Sequence, residues 1–142
     1  MAEPSERGPP RRQERQEPSA AADAVARQIV DASLKVHKAL GPGLLESVYE
    51  ACLRHELTLR GLSVRRQVPQ PLEYEGLQLD AGYRLDLLVE DLVIVEVKAV
   101  EALTRLHKAQ LITYLKLSGL RLGLLINFNV VLLKDGVRRL LG

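Results

Sequence analysis

Apolar residues recur at helical spacing in three parts of the chain. Within residues 20–40 they follow one another at steps of three and four: Val25, Ile29, Ala32, Val36 and Leu40. This spacing gathers them on one face of a helix. The Gly-Pro-Gly at 41–43 ends that helix, because a residue before proline avoids helical backbone angles. The same pattern predicts helices over residues 44–60 and 102–118, each followed by a glycine that favours a helix end.

Between the second and third helices the pattern changes to that of β-strands. Three strands are predicted, over residues 64–74, 79–89 and 92–100. The third, LVIVEVKAV, is rich in β-branched residues and almost continuously apolar, which is typical of a strand covered on both faces. Pro69 and Pro71 interrupt the first strand and would be tolerated at a sheet edge, since proline cannot donate a hydrogen bond to the ladder.

The chain closes with further strand patterns. Residues 121–128, RLGLLINF, predict a buried strand, and residues 130–141 predict a hairpin that turns at Asp135-Gly136. The order of elements is therefore helix, helix, three strands, helix, strand and hairpin. From this order we expect an α/β (α+β) sandwich in which helices flank a mixed β-sheet.

Composition narrows the class of protein. The 142 residues carry 20 Lys and Arg against 18 Asp and Glu, which argues against a polybasic protein that binds nucleic acid by bulk charge. Residues 1–18 lack an apolar core and predict a disordered tail, which leaves residues 19–142 as a single domain. The single cysteine, Cys52, favours a reducing compartment, so we expect a cytoplasmic protein. The longest apolar stretch is too short to cross a membrane.

Charged residues interrupt two of the apolar strand patterns. Glu96 and Lys98 lie within LVIVEVKAV, and the two-residue period of a strand puts both on one face. Asp86 interrupts the preceding strand in the same way, and a buried carboxylate is costly unless it is paired or binds a metal. A two-residue turn at Glu90-Asp91 would point Asp86 away from Glu96. We therefore predict an odd-length turn or a bulge that sets Asp86 opposite Glu96.

Polar residues also occur at regular positions in two of the predicted helices. Glu46 lies three residues before Tyr49, on the apolar stripe of the second helix, so its carboxylate should point partly inward. In the third helix Gln110 and Tyr114 share a face at i and i+4. Each residue also has a structural interpretation. Glu46 can interact with the helix dipole, and Asp86 can cap a neighbouring turn. Glu96 and Lys98 can form a simple ion pair, and Gln110 with Tyr114 can be a solvated pair at the rim.

The set of motifs resembles a known family. Residues 43–49, GLLESVY, match the Gly-x-x-Glu-x-x-Tyr signature of the GxxExxY proteins. The likeness continues through residues 84–100, 107–129 and 133–139 in the family's order. This family is grouped with the PD-(D/E)XK nuclease-like superfamily. The resemblance implies a restriction-endonuclease-like αβββαβ core, here with an extra N-terminal helix.

The resemblance also implies site residues, position by position. The first-helix acid of the superfamily falls on Glu46, its Asp on Asp86, and its Glu-x-Lys on Glu96 and Lys98. The Gln-x-x-x-Tyr motif of the exonuclease-like branch falls on residues 110–114. Leu85 stands where the superfamily has the proline of its name, and that proline is not a ligand.

The activity that this resemblance implies is that of a metal-dependent nuclease. Asp86 and Glu96 would hold Mg²⁺ or Mn²⁺ through hard oxygen ligands, and Glu46 would bind the same ion through water or a second ion nearby. Lys98 would orient or help to deprotonate the attacking water, while Gln110 and Tyr114 would position the scissile phosphate. Three nearby basic residues are candidate phosphate contacts: Arg84, Arg105 and Lys108.

The expected partner is nucleic acid, DNA ahead of RNA, with no membrane involved. A homodimer or a partner protein is also expected, because a domain of this size offers little surface for enclosing a duplex. Two alternatives stay open. One is a catalytically silent domain of the same fold that binds nucleic acid or a protein, and the other is a structural, oligomer-forming protein.

Overall fold

The computed structural model of the protein describes residues 17–142. The predicted disordered tail lies outside the described residues, apart from its last two positions. Within residues 17–142 the chain forms three α-helices: α1 Ala20–Leu40, α2 Glu46–Leu59 and α3 Arg105–Ser118. The strands are β1 Val64–Pro69, β2 Leu72–Tyr74, β3 Leu77–Leu79, β4 Arg84–Val89, β5 Val93–Lys98, β6 Leu122–Asn127 and β7 Val137–Leu141. None of these helices is long and apolar enough to cross a membrane.

Helix α1 has the bounds that the apolar spacing predicts. The side chain of Ser19 caps its start by accepting a hydrogen bond of 3.0 Å from the Ala22 amide. The helix ends at Gly41, whose φ of 71° is one that residues with a side chain rarely adopt. Ile29 and Ala32 are fully buried, so the predicted stripe is the face that packs against the sheet.

Five strands form one mixed sheet in the order β1-β4-β5-β6-β7. Neighbouring strands run antiparallel except β5 and β6, which run parallel and are joined through α3. Helices α1 and α2 cover the face that carries Val93, Val95 and Val97, whereas α3 covers the face that carries Ile94. The predicted architecture, a mixed sheet flanked by helices, is confirmed. From α2 onward the main elements follow the αβββαβ order, with α1 as the additional N-terminal helix.

Two of the predicted strands are divided. The strand predicted over residues 64–74 breaks at Gln70-Pro71, so that β1 is an edge strand of the main sheet and β2 pairs with β3 in a separate hairpin. The strand predicted over residues 79–89 likewise breaks before β4. The edge position of β1 agrees with the proline argument. The small hairpin β2-β3 is an insertion between two strands of the main sheet.

The predicted hairpin at Asp135-Gly136 is wrong. Residues 133–136 form a short 3₁₀-helix, and only β7 follows as a strand, paired with β6. The backbone before it bonds to other elements, since the Val130 carbonyl lies 2.8 Å from His37 Nε2. Gly136 packs so closely that a Cβ there would collide with the Asn127 carbonyl oxygen. The segment therefore serves as the reversal that brings β7 back beside β6.

The connection between β4 and β5 sets the register of the site. Val89 pairs with Val93, so three residues, Glu90 to Leu92, form the turn. Glu90 and Asp91 both have positive φ, near 55°, which lets so short a connection reverse the chain. The predicted odd-length turn is confirmed, and the register places Asp86 opposite Glu96.

Candidate active site

Asp86 and Glu96 interlock where β4 and β5 separate. The backbone ladder between these strands runs as far as the pair Leu87 and Val95. Beyond it the Asp86 amide donates to Glu96 Oε2 at 3.0 Å, and the Val97 amide donates to Asp86 Oδ2 at 2.9 Å. The two carboxylates thus continue the cross-strand hydrogen bonding where the backbone ladder between β4 and β5 ends. The exchange fixes both side chains at one end of the strand pair.

The faces of the two strands decide which groups surround this pair. Ile94 packs against α3, and strand alternation puts Glu96 and Lys98 on the same face. In β4, however, Leu85 packs on the α3 side while Leu87 packs on the side of α1 and α2. The alternation of β4 therefore changes at Asp86. Charges from α2, those of Glu46 and Glu50, act on the Asp86 carboxylate together with the charge of Lys98 on β5.

Burial and mutual repulsion disfavour the ionised form of both acids. Burial is the main cause that raises the pKa of Glu96 to about 8, and the charge of Asp86 adds to it. Burial likewise raises the pKa of Asp86 to about 6, against the hydrogen bond from the Val97 amide and the charge of Lys98, which lower that pKa. A pair of adjacent carboxyl groups that holds a proton near neutral pH is a site where a cation can replace that proton.

The donor set fits a hard divalent cation. One oxygen of each carboxylate accepts a hydrogen bond from a backbone amide, so the second oxygen can bind a ligand. In the described part of the chain no buried side-chain nitrogen or oxygen lacks a hydrogen-bond partner, so these second oxygens are reached by solvent. Carboxylate oxygens combined with water are the ligands that Mg²⁺ prefers. The residues present therefore fit Mg²⁺ or Mn²⁺.

Glu46 lies near this pair but does not join it as a third direct ligand. It is the first residue of α2 and its side chain is exposed. Its charge raises the pKa of both Asp86 and Glu96, which places it on their side of the molecule. Yet among residues 17–142 no three Asp, Glu, His or Cys side chains converge closely enough to hold a metal ion together. A contribution from Glu46 would therefore pass through water.

Glu50 is an acidic neighbour of the site that the sequence patterns did not single out. It lies one turn after Glu46 and is only 8% exposed. Gln67 Nε2 donates to both of its carboxylate oxygens at 3.2 Å, and Arg66 Nε lies 3.7 Å from one of them. Among neighbouring charges, Glu50 raises the pKa of Asp86 the most. The i and i+4 spacing of residues 46 and 50 is the signal in the sequence that could have indicated it.

Tyr114 approaches the acids from α3. It is 5% exposed, and burial together with the charge of Glu96 raises the pKa of its hydroxyl. Gln110, one turn earlier on the same face, is exposed at the rim. The predicted Gln-x-x-x-Tyr pair thus places Tyr114 against the carboxylates and leaves Gln110 open to solvent.

The loop before α2 is held by Tyr49. Its hydroxyl donates to the Gly41 carbonyl at 2.6 Å and accepts from the Leu44 amide at 3.1 Å. Its ring stacks on Phe128 with a centroid distance of 4.7 Å. Asn129 adds a bond of 3.1 Å from the Gly43 amide. These contacts fix the start of α2, and therefore Glu46, relative to the end of β6.

The three candidate phosphate contacts lie on two elements beside the site. Arg84 opens β4, two residues before Asp86, and is exposed with Asp80 at 3.9 Å. Arg105 is the exposed first residue of α3, and Lys108 is half-buried in the same turn. Their contact with a phosphate stays a prediction.

Comparison with known proteins gives one family match. A model of the PD-(D/E)XK nuclease superfamily matches residues 23–140, which include every candidate site residue named above. No curated protein and no solved structure matches the chain significantly. The match covers most of the sequence rather than a single motif.

Proposed function

Because the chain belongs to the PD-(D/E)XK nuclease superfamily, we propose that it is a metal-dependent nuclease that hydrolyses phosphodiester bonds of nucleic acid. The observation that carries this proposal is the interlocked pair of Asp86 and Glu96, with Lys98 on the same strand face. A structural domain gains little from two adjacent buried carboxyl groups, since their ionisation is costly without a cation.

Asp86 and Glu96 would hold the cation, and Glu46 would contribute through water. Bound there, Mg²⁺ or Mn²⁺ would act as a Lewis acid toward a phosphoryl oxygen and would lower the pKa of water. The backbone bonds from Asp86 and Val97 orient both carboxylates before any ligand arrives. Because the carboxylates are already oriented, binding of the cation would not require a free-energy cost for rearranging them.

The remaining side chains would assist proton transfer and bind the phosphate. Lys98, on the face of Glu96, would orient the attacking water or help to deprotonate it, and would offset negative charge that develops on the phosphate. Tyr114 and Gln110 would position the scissile phosphate from α3. Three basic residues would contact phosphates of the nucleic acid and hold it in position without recognising its base sequence: Arg84, Arg105 and Lys108.

Finer features of the proposal rest on the sequence. The motif from Gly43 to Tyr49 supports assignment to the GxxExxY branch, and the loop that it builds positions Glu46. We propose DNA ahead of RNA as substrate. The lone cysteine supports a cytoplasmic location. The position of β7 at an edge of the described sheet supports a homodimer or a partner protein, since edge strands are sites of association.

A cleavage assay tests the proposal. Purified full-length protein is incubated with labelled single-stranded DNA, double-stranded DNA and RNA in Mg²⁺ or Mn²⁺. The wild type should cut at least one substrate, and chelation should stop the cutting. Asp86→Asn should reduce cutting to background because it removes a ligand charge. Lys98→Met should slow it roughly 10²- to 10⁴-fold, the range for loss of a group that assists proton transfer.

Matched controls separate the chemistry from general damage. Asp91→Asn removes an exposed acid at the other end of the same strand pair, and Lys134→Met removes an exposed lysine remote in sequence from the site. Both should cut like the wild type. If the wild type binds nucleic acid but cuts none of the substrates with either metal, the silent binding alternative replaces the nuclease. Unchanged cutting by Asp86→Asn and Lys98→Met would refute the assigned roles.

A further inference from the structure

The tyrosines of this chain are distributed unevenly. It has four tyrosines, one phenylalanine and no tryptophan. Tyr49 and Phe128 are fully buried and stacked on each other in the core. Two of the other three tyrosines, Tyr83 and Tyr114, meet beside the candidate site with ring centroids 6.2 Å apart. Tyr83 is 44% exposed, so the aromatic surface beside the site is open to a ligand.

These two tyrosines line a cleft of about 250 Å³ between α3 and the segment that leads into β4. The other lining residues are Leu72, Gln110, Thr113 and Leu117. The volume lies below the roughly 300–1,000 Å³ of pockets for drug-sized ligands, so the cleft suits one flat ring system. Gln110 at its rim can both donate and accept a hydrogen bond. An aromatic wall with one amide is a chemistry that matches a nucleobase.

The cleft borders the carboxylate pair. Tyr114 lies close enough to Glu96 and Asp86 for both charges to act on its hydroxyl. Tyr83 precedes Asp86 by three residues, with the exposed Arg84 between them. A ring held in the cleft would therefore lie next to a phosphate at the acids.

We propose that this cleft holds one base of single-stranded nucleic acid, stacked on Tyr83, beside the phosphodiester at Asp86 and Glu96. Stacking on tyrosine accepts any base, because every base has a π-face. A base inside a duplex must first leave its stack and its partner, which costs energy. The substrate class is therefore single strands, loops and frayed ends. This inference rests on the proposed nuclease function, which places the phosphate beside the cleft.

Binding to a strand with and without bases tests the inference. Fluorescence anisotropy is measured in EDTA, so that metal-dependent cutting cannot occur. The probes are a labelled oligothymidylate of about 12 nucleotides, within the range of single-strand sites, an abasic strand of equal length, and a duplex. The base-bearing strand should bind roughly 5- to 100-fold more tightly than the abasic one, as expected for stacking on an aromatic side chain. It should also bind more tightly than the duplex.

Variants locate the effect. Tyr83→Ala should remove the advantage of the base-bearing strand, whereas Tyr83→Phe should keep it because the ring remains. Thr113→Met, at an exposed helix position on the lining, should also reduce it by filling the cleft without adding a ring. Tyr74→Ala is the matched control, since Tyr74 is 65% exposed and does not line the cleft. Circular dichroism checks that each variant is folded.

The possible results separate this inference from the nuclease proposal. Equal binding of abasic and base-bearing strands overturns the base cleft, even if the enzyme cuts nucleic acid. Equal losses in Tyr83→Ala and Tyr74→Ala overturn it too, because the aromatic contact would then be spread over the surface. A base-dependent advantage that Tyr83→Ala removes supports the cleft, and it does so even if no substrate is cut and the nuclease proposal fails.

Discussion

A single hydroxyl group, that of Tyr49, holds together the turn that begins α2. It bridges the Gly41 carbonyl and the Leu44 amide, two backbone groups that the turn leaves without partners of their own. The ring beneath it is fully buried and stacked on Phe128. The spacing of Glu46 and Tyr49 thus has a physical reason. Tyr49 fixes the helix start from inside, while Glu46, three residues earlier, presents its charge outside.

Tyr49→Phe tests this bridge. The ring and its packing stay, but two backbone groups lose their partner, so the free energy of unfolding should fall by about 1–2 kcal/mol. Urea unfolding followed by circular dichroism measures the change. Tyr74→Phe removes the hydroxyl of an exposed tyrosine and should leave the free energy of unfolding unchanged. Equal stabilities of the two variants would show that the Tyr49 hydroxyl does not hold the turn.

Residues of the candidate site differed in how well the sequence predicted them. The sequence indicated Asp86, Glu96 and Lys98 because each is a charged residue inside an apolar strand pattern. A buried charge is costly unless it is paired or binds a ligand, so such a position points to a site. Glu50 did not stand out, because its environment depends on a contact from another element. Gln67 reaches it from β1 at a position where φ is 52°, and no periodic pattern predicts that backbone angle.

At the scale of elements, prediction was accurate where one periodic face decided the structure. The bounds of α1 follow from its stripe and its caps, which are local features. The prediction of a closing hairpin was wrong because Asp-Gly is a local turn signal, whereas tertiary contacts determine the conformation of residues 128–136. His37 hydrogen-bonds the Val130 carbonyl. The Asn127 side chain accepts from the Val100 amide and donates to the Val100 carbonyl. Because β7 pairs antiparallel with β6, the segment between them reverses the direction of the chain.

Gly136→Ala probes this corrected segment. A Cβ at this position meets the backbone carbonyl of Asn127, which cannot swing away as a side chain can. The 3₁₀-helix or the end of β6 must shift, and overpacking of this kind costs about 1–3 kcal/mol. Thermal or urea unfolding should show that loss of stability, while Lys134→Ala, at an exposed position of the same 3₁₀-helix, should not. A fully stable Gly136→Ala protein would contradict the close packing described for Gly136.

At the scale of the whole molecule, the candidate site lies where both helix layers meet the sheet. Helix α2 brings Glu46 and Glu50, the β4-β5 pair brings the interlocked acids, and α3 brings Tyr114. The charges of Glu46 and Glu50 thus raise the pKa of Asp86 from α2, and the charge of Asp86 raises the pKa of Glu96, against the charge of Lys98 on β5. Folding concentrates negative charge here in a chain whose net charge is only +2. Binding of a cation and of protons should therefore be coupled to folding.

This coupling predicts how stability depends on pH. The folded protein keeps protons on Asp86 and Glu96, with pKa values of about 6 and about 8, that the unfolded chain releases near the ordinary pKa values of 3.8 and 4.5. Since the folded state then binds more protons, the free energy of unfolding of the metal-free protein should fall as the pH rises through this window. Chemical denaturation in EDTA, repeated across these pH values, measures the slope.

Mg²⁺ should reverse the trend, because it takes the place of the protons and stabilises the folded state that binds it. The rise in melting temperature on adding Mg²⁺ should therefore be larger at pH values above the raised pKa values than below them. Other groups also titrate, so the decisive quantity is the difference from the doubly neutral variant Asp86→Asn/Glu96→Gln. That variant should lose both the slope and the response to Mg²⁺. If it follows the wild type at every pH, the acids are not the groups that couple protons and metal to folding.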